Sequence, residues 1–181
     1  MERKAALTTT TQPQAKRDAV TGPRFQEILL LIGQLNYTWT NTESLLIYLI
    51  AGLARVDKET AIVIFLTLNT TRARIELVER LTKLAKTPTE HRREILAITE
   101  QLTKQAKLRN KYSHCIYSFD EAGMSGSTQL MRIFDEKDGI KYGKVEELND
   151  IEVGKVKNCI NEIQKINQNI WSIVRKYSYP C

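Results

Sequence analysis

The chain has 181 residues, 42% of them hydrophobic and 27% charged, with a net charge of +6. That length fits one domain plus a tail, with a core that needs no covalent staples. Three cysteines cannot close a set of internal disulfides, and no apolar leader opens the chain, so a disulfide-built secreted scaffold is disfavoured and a cytoplasmic location is expected. The longest apolar run, Leu45 to Ala54, falls short of the ~18–20 residues that span a membrane. No zinc-type Cys/His spacing, phosphate-binding glycine loop or dinucleotide fingerprint is present, so no metal and no cofactor is expected.

The charge is unevenly placed. Between Arg72 and Lys111 stand eleven Lys/Arg and five Asp/Glu, and the rest of the chain balances to zero. A basic block on helices is a footprint for nucleic acid or another polyanion. The same block also reads as a solvated helical surface that keeps the protein soluble.

Residues 1–21 are polar and nearly free of large apolar groups, which predicts a disordered basic tail. Residues 22–181 then read as a single helical-bundle domain. Pro23 suits a first helical turn. Ile28, Ile32, Leu35, Trp39, Leu46, Ile50 and Leu53 follow the helical period, which predicts one long helix. Thr40 and Glu43 also form a capping-box pattern that would place a break near Asn41. A short helix is expected over Glu59–Leu68. A third follows Asn69-Thr70-Thr71 and runs to about Lys86, with Leu77, Val78, Leu81, Leu84 and Ala85 inward. Thr87-Pro88 breaks it, and a fourth helix carries Ile95, Ile98, Leu102 and Ala106 to about Ser113.

The period then changes. Ile116–Phe119, Gln129–Phe134 and Ile140–Val145 read as strands, with a turn at Asp138-Gly139. Asn149-Asp150 caps a last helix whose stripe is Cys159, Ile163, Ile166, Ile170, Ile173 and Tyr177. The expected fold is all-α: an up-and-down bundle with a small β-hairpin insertion, of two or three strands, at about 115–147, before the last helix.

Some charges break the apolar pattern. Glu43 falls within the stripe of Trp39, Leu46 and Ile50. Arg74 precedes Leu77, Val78 and Leu81, and Arg109 continues the stripe of the fourth helix. A buried lone charge costs several kcal/mol, so these groups must be paired or face a groove. Glu43 then orients an arginine toward a ligand phosphate, or the three groups simply fix helix register.

A second cluster is local: Arg109-Asn110-Lys111-Tyr112-Ser113-His114. Asn110 and His114 are four apart and share a helix face. Histidine titrates near neutrality and moves protons to and from ribose and phosphate oxygens. Arginine holds non-bridging oxygens as charge builds on them. As bare chemistry this is a weak signal, since a lone histidine is usually structural.

An Arg followed by Asn and, after three more residues, by His at the end of a helix in an all-α bundle resembles the signature of the HEPN superfamily. "RNKYSH" carries it here, and "WTNTESLLIYLI" is similar to the Trp/Asn/Glu-bearing helix of some members. The likeness spans about residues 25–115. It implies a metal-independent endoribonuclease, often a toxin or defence protein, in which two protomers pair and their Arg/His sets form one cleft. By that resemblance Arg109 and His114 are catalytic and Asn110 supports them. Glu43, Arg74 and Tyr112 are added as orienting or phosphate-contacting residues. The implied partners are RNA, a second copy of the chain and, for a toxin, a cognate antitoxin. The alternative is a catalytically inactive HEPN-like module that binds a protein partner or a nucleotide.

Other residues carry less. Cys115 next to His114 reads as a packed thiol more than as a nucleophile. Cys159 is expected in the core, Cys181 as a terminal bystander and His91 on the surface. Trp39 and Trp171 lie on apolar stripes and are expected to pack in a core or dimer interface more than to stack on bases.

Overall fold

The computed structural model describes residues 22–181. The expected basic tail over 1–21 lies outside them. Helix α1 spans Pro23–Glu43, α2 Leu46–Ala54, α3 Lys58–Thr67, α4 Thr71–Thr82, α5 Thr89–Ser113 and α6 Asp150–Lys176. Helix α1 packs on α6 and α5, α5 on α6 and α4, and α2 on α3 and α4. The core runs through the bundle from Leu35, Trp39 and Leu46 to Ile95, Leu102, Ile163 and Ile170. The fold is a mostly helical bundle with a β insertion before its last helix. No helix among the described residues is long and apolar enough to cross a membrane.

The single long helix expected over residues 25–53 is instead two. Ser44 and Leu45 keep right-handed helical torsions. Their hydrogen bonds tighten, however: Leu45 N–H donates to Thr42 O, Ile47 N–H to Ser44 O and Tyr48 N–H to Leu45 O. These i→i−3 bonds are a short 3₁₀ step, which changes the axis while nearly preserving the phase of the stripe. The Thr40/Glu43 pair makes no capping box. Glu43 is buried, and Ser44 Oγ donates back to Asn41 O.

Helix α4 also ends earlier than expected, at Thr82 rather than near Lys86. A turn follows, closed by Thr87 N–H on Leu84 O, and Leu84 is exposed rather than inward. Side-chain caps start three helices. Asp57 accepts from Thr60 N–H, Thr70 from Ala73 N–H and Asn149 from Glu152 N–H.

The insertion holds a three-stranded sheet and, beyond what was expected, a separate two-stranded ribbon. Strands β1 (Cys115–Phe119), β2 (Gly126–Leu130) and β5 (Val145–Glu147) form an antiparallel sheet in the order β1-β2-β5. The pairs include Ile116 with Gln129 and Gln129 with Val145. Strands β3 (Ile133–Glu136) and β4 (Gly139–Tyr142) form a separate ribbon, with Glu136 opposite Gly139. Its two-residue loop is therefore Lys137-Asp138, one residue before the expected turn. The expected Gln129–Phe134 strand is broken at Met131-Arg132, where Arg132 N–H turns back onto Leu130 O.

Two contacts seat the sheet on the bundle. The Phe25 and Phe119 rings meet edge to face at 5.2 Å. Gly22 lies so close to the β1–β2 turn that a Cβ there would stand 2.0 Å from Ala122 O, and Phe25 N–H donates to Gly123 O. The backbone approach therefore requires glycine at this position.

A buried carboxylate joins α5 to α6. Glu152 accepts from Tyr112 Oη at 2.9 Å and from Lys111 Nζ at 3.0 Å, and Lys155 binds its other oxygen. Burial alone would raise the Glu152 carboxyl, but hydrogen bonds from Lys155, Lys111 and Tyr112 outweigh it and hold it at about 2. Because the folded value lies below the ordinary 4.5, this stabilisation is complete above about pH 4.5 and is lost as the pH falls toward 2. Urea titrations of wild type and Glu152→Gln between pH 7 and pH 2.5 check this. The wild type should lose more stability with acid than the variant does, and parallel curves would contradict it.

Candidate functional site

The site is built where the second half of α1 meets the last turns of α5, with the start of α4 behind it. Glu43 is at its centre, 7% exposed at the end of α1. One oxygen accepts from Trp39 Nε1 at 3.0 Å. The other accepts from Thr71 Oγ1 at 2.6 Å and from Arg74 at 3.1 Å. The i,i+4 spacing of Trp39 and Glu43 sets the first bond, and the Thr70-capped start of α4 delivers the other two.

Arg74 is held by the fold through Nε and Nη1. Its Nε donates to the backbone oxygens of Leu68 and Phe65, its guanidinium lies 4.1 Å over the Phe65 ring, and Nη1 holds Glu43. It ties the end of α3 and the α3–α4 connection to Glu43. Its described hydrogen bonds all go to these protein groups.

Arg109 differs. It lies half-buried on α5, its guanidinium 4.8 Å over the Trp39 ring. Its hydrogen-bond partner among the described residues is Asn110 Oδ1, at 3.1 Å. The Nε atom is buried without a hydrogen-bond partner. Burial lowers the guanidinium from its ordinary value, against the Coulombic pull of Glu43. Both expected arginines therefore lie near one carboxylate. Arg74 takes it by direct contact, and Arg109 keeps its charge with donors to spare.

His114 is exposed at the C-cap of α5. Its N–H donates to Asn110 O, and its carbonyl accepts from Met131 N–H as the chain enters β1. Next to it, Ser113 Oγ donates to Asn36 Oδ1 on α1 at 3.0 Å, which brings the flank of α1 alongside. Glu43 and Arg109 thus meet at Trp39, Arg74 joins through Glu43 and Asn110 through Arg109, while His114 caps the same helix through its backbone N–H on Asn110 O. No hydrogen bond joins Arg109 to His114 among the described residues. Tyr112 lies on the inner side of α5, 1% exposed, with its hydroxyl on Glu152. It supports the helix from within.

Asn110 also lines a 330 Å³ cleft between α4 and α5, with Thr71, Arg72 and Lys107 on its walls. Glu76 and Glu79 line it as well, and Glu76 holds both Arg72 and Arg80. The basic block is thereby partly neutralised. Lys104, Lys107, Arg92 and Arg93 carry no ion pair among the described residues.

Three residues of this site escaped the sequence reading: Thr71, Asn36 and Trp39 as the platform for Arg109. The only available signal was the Trp39–Glu43 spacing. Of the remaining candidates, burial raises the Cys115 thiol, which disfavours a thiolate nucleophile. Cys159 is buried and pushed up to about 11. His91 is not on open surface as expected. The end of the chain folds over the start of α5 and stacks Tyr177 on it, with ring centroids 3.4 Å apart. Among the described residues no cluster of three or more His, Cys, Asp or Glu is placed to hold a metal ion. No family model, curated protein or solved structure matches the chain.

Glu43→Ala should cost ~3–5 kcal/mol of folding stability, because it strands Arg74 and the indole N–H inside the bundle. Glu43→Gln keeps some of the hydrogen bonds and should cost less. Equilibrium denaturant unfolding measures both, and a loss under ~1 kcal/mol for alanine would show that the carboxylate is not a structural hub.

Proposed function

We propose that the protein is a HEPN-like, metal-independent endoribonuclease that acts as a homodimer. The observation that carries this reading is the contrast between its two inward arginines. Arg74 spends its Nε on the backbone and its Nη1 on Glu43. Arg109 is half-buried near the end of α5 that the exposed His114 caps, and its Nε has no partner. Such a guanidinium is suited to a phosphate, whose non-bridging oxygens match its planar fork.

In the proposed reaction His114 removes the proton from a ribose 2′-hydroxyl. The 2′-oxygen attacks the adjacent phosphorus, and the bond from phosphorus to the 5′-oxygen breaks. The leaving 5′-oxygen takes a proton from the partner's His114, which enters the step protonated. The products are a 2′,3′-cyclic phosphate and a 5′-hydroxyl. Arg109 balances the charge that builds on the phosphorane-like transition state, and Asn110 fixes the orientation of Arg109. One histidine per protomer near the arginine leaves separate acid and base roles to a pair of protomers. A surface for pairing is at hand: Leu29 and Leu30 are each 62% exposed on α1, beside Gly33 and a turn or two before Asn36. A toxin of this kind would also have a cognate antitoxin, and a cytoplasmic site of action fits an RNA target.

Purified protein incubated with RNA in EDTA should leave fragments ending in 2′,3′-cyclic phosphate. His114→Ala and Arg109→Ala should each lose at least ~100-fold in rate while keeping the wild-type circular dichroism spectrum. Intact RNA with well-folded wild-type protein would replace this reading with that of an inactive binding module.

A further inference from the structure

The largest concavity among those described is not at His114. A 770 Å³ groove runs along α6 beside the α1–α2 break. Three aromatic rings border it. Tyr37 is 74% exposed, and Tyr48 and Trp171 are partly open with ring centroids 5.0 Å apart. Trp171, expected to be a core or interface residue, packs against the core and also borders this groove. Lys58 sits 5.0 Å over the Tyr48 ring.

Between the rings lie four amides. Asn167 donates to Thr42 Oγ1. The side chains of Asn41, Gln164 and Gln168 make no hydrogen bond among the described residues. In a chain that is 27% charged, the twelve lining residues include one charge, which is positive, and no carboxylate.

That chemistry points to one class of ligand. Aromatic faces stack on nucleobases of any sequence. A side-chain amide offers a donor and an acceptor side by side, the pattern found on base edges. A carboxylate would repel the phosphates that accompany a base, and none is present. The groove is also placed to serve the Arg109–His114 end of α5. Asn36, bonded to Ser113, and Asn41, on the groove, lie ~140° apart around α1. Tyr37 stands between them on the exposed ridge. A strand that crosses α1 therefore passes from one flank to the other.

We infer that this groove takes unpaired nucleobases of the RNA, stacked against Tyr37 and Trp171 and met at their edges by Asn41, Gln164 and Gln168. The substrate is then single-stranded where it lies on α6. This assignment rests on the ribonuclease reading for the identity of the ligand, so its test is made on binding and not on cleavage.

The full chain carrying His114→Ala is titrated with three probes: a short single-stranded RNA, its duplex, and an abasic ribose-phosphate strand of equal length. Because Arg109 lies over the Trp39 ring, Trp171→Phe is titrated in parallel, and the quenching of tryptophan emission that it removes is assigned to Trp171. The single strand should quench the Trp171 emission and bind at least about tenfold tighter than the other two probes. Adding Tyr37→Ala, which removes an exposed ring and leaves the core intact, should weaken single-strand binding about tenfold. Gln168→Ala should weaken it less. Equal binding of all three probes, or no effect of Tyr37→Ala, overturns the inference. So does a change in sedimentation on Tyr37→Ala with RNA binding unmoved, which would make the groove a protein interface. If the groove behaves as stated but wild type leaves RNA uncut in EDTA, the base site stands and the nuclease reading falls. Cleavage without any groove dependence gives the reverse.

Discussion

A single buried carboxylate organises this molecule. Glu43 ends α1 at the 3₁₀ step, inside the bundle, where an unpaired charge would not survive. Its two oxygens accept from Trp39, Thr71 and Arg74, which come from α1 and α4. Those bonds fix where α4 starts, hold the end of α3 through Arg74, and orient the indole ring on which Arg109 rests. Because Arg74 takes the direct contact, Arg109 stays within reach of the carboxylate's field without being consumed by it. The same interaction therefore stabilises the fold and leaves one guanidinium available for a ligand.

The basic block resolves along similar lines. Arg72 and Arg80 share Glu76, and Lys111 is tied to Glu146 and Glu152 at the joint between α5, β5 and α6. Part of the positive charge visible in the composition is thus neutralised along α4, and Lys111 joins α5 to β5 and α6. Lys104 and Lys107 remain to attract a polyanion along α5 toward Asn110. The groove on α6 carries almost no charge, so it contributes shape and stacking in place of steering.

Much of the helical pattern was legible because burial imposes it locally. The α6 stripe from Cys159 to Ile173 is buried throughout, and Asn149 caps the helix as its position suggests. The α1–α2 break was only partly legible: the Thr40/Glu43 pattern put one near Asn41, and it falls at Ser44-Leu45. Ser44 and Leu45 stay helical in their torsions, and only the hydrogen-bond partners shift, so the apolar phase runs through unbroken. The interruption at Met131-Arg132 was hidden, because alternation continues on both sides of it. At the site, Glu43 and the two arginines stood out as charges on apolar faces. Which arginine would take the carboxylate depends on α4 folding back over a separation of about thirty residues, and no local pattern encodes that. The α6 groove was invisible for a different reason. Its amides look like ordinary solvent-facing residues until Tyr37, Tyr48 and Trp171 come together from three helices.

The most direct test of this account is the behaviour of the two arginines when RNA binds. Side-chain Nε–H resonances of Arg74 and Arg109 can be followed by NMR while a 2′-O-methyl RNA, which cannot be cleaved by 2′-hydroxyl attack, is added to the wild-type protein. The account predicts that the Arg109 resonance moves with saturation, because its guanidinium takes up phosphate. The Arg74 resonance should stay in place, locked on Glu43 and the backbone of Leu68. An Arg109 resonance that remains still at saturating RNA, or an Arg74 resonance that moves in its place, would contradict it.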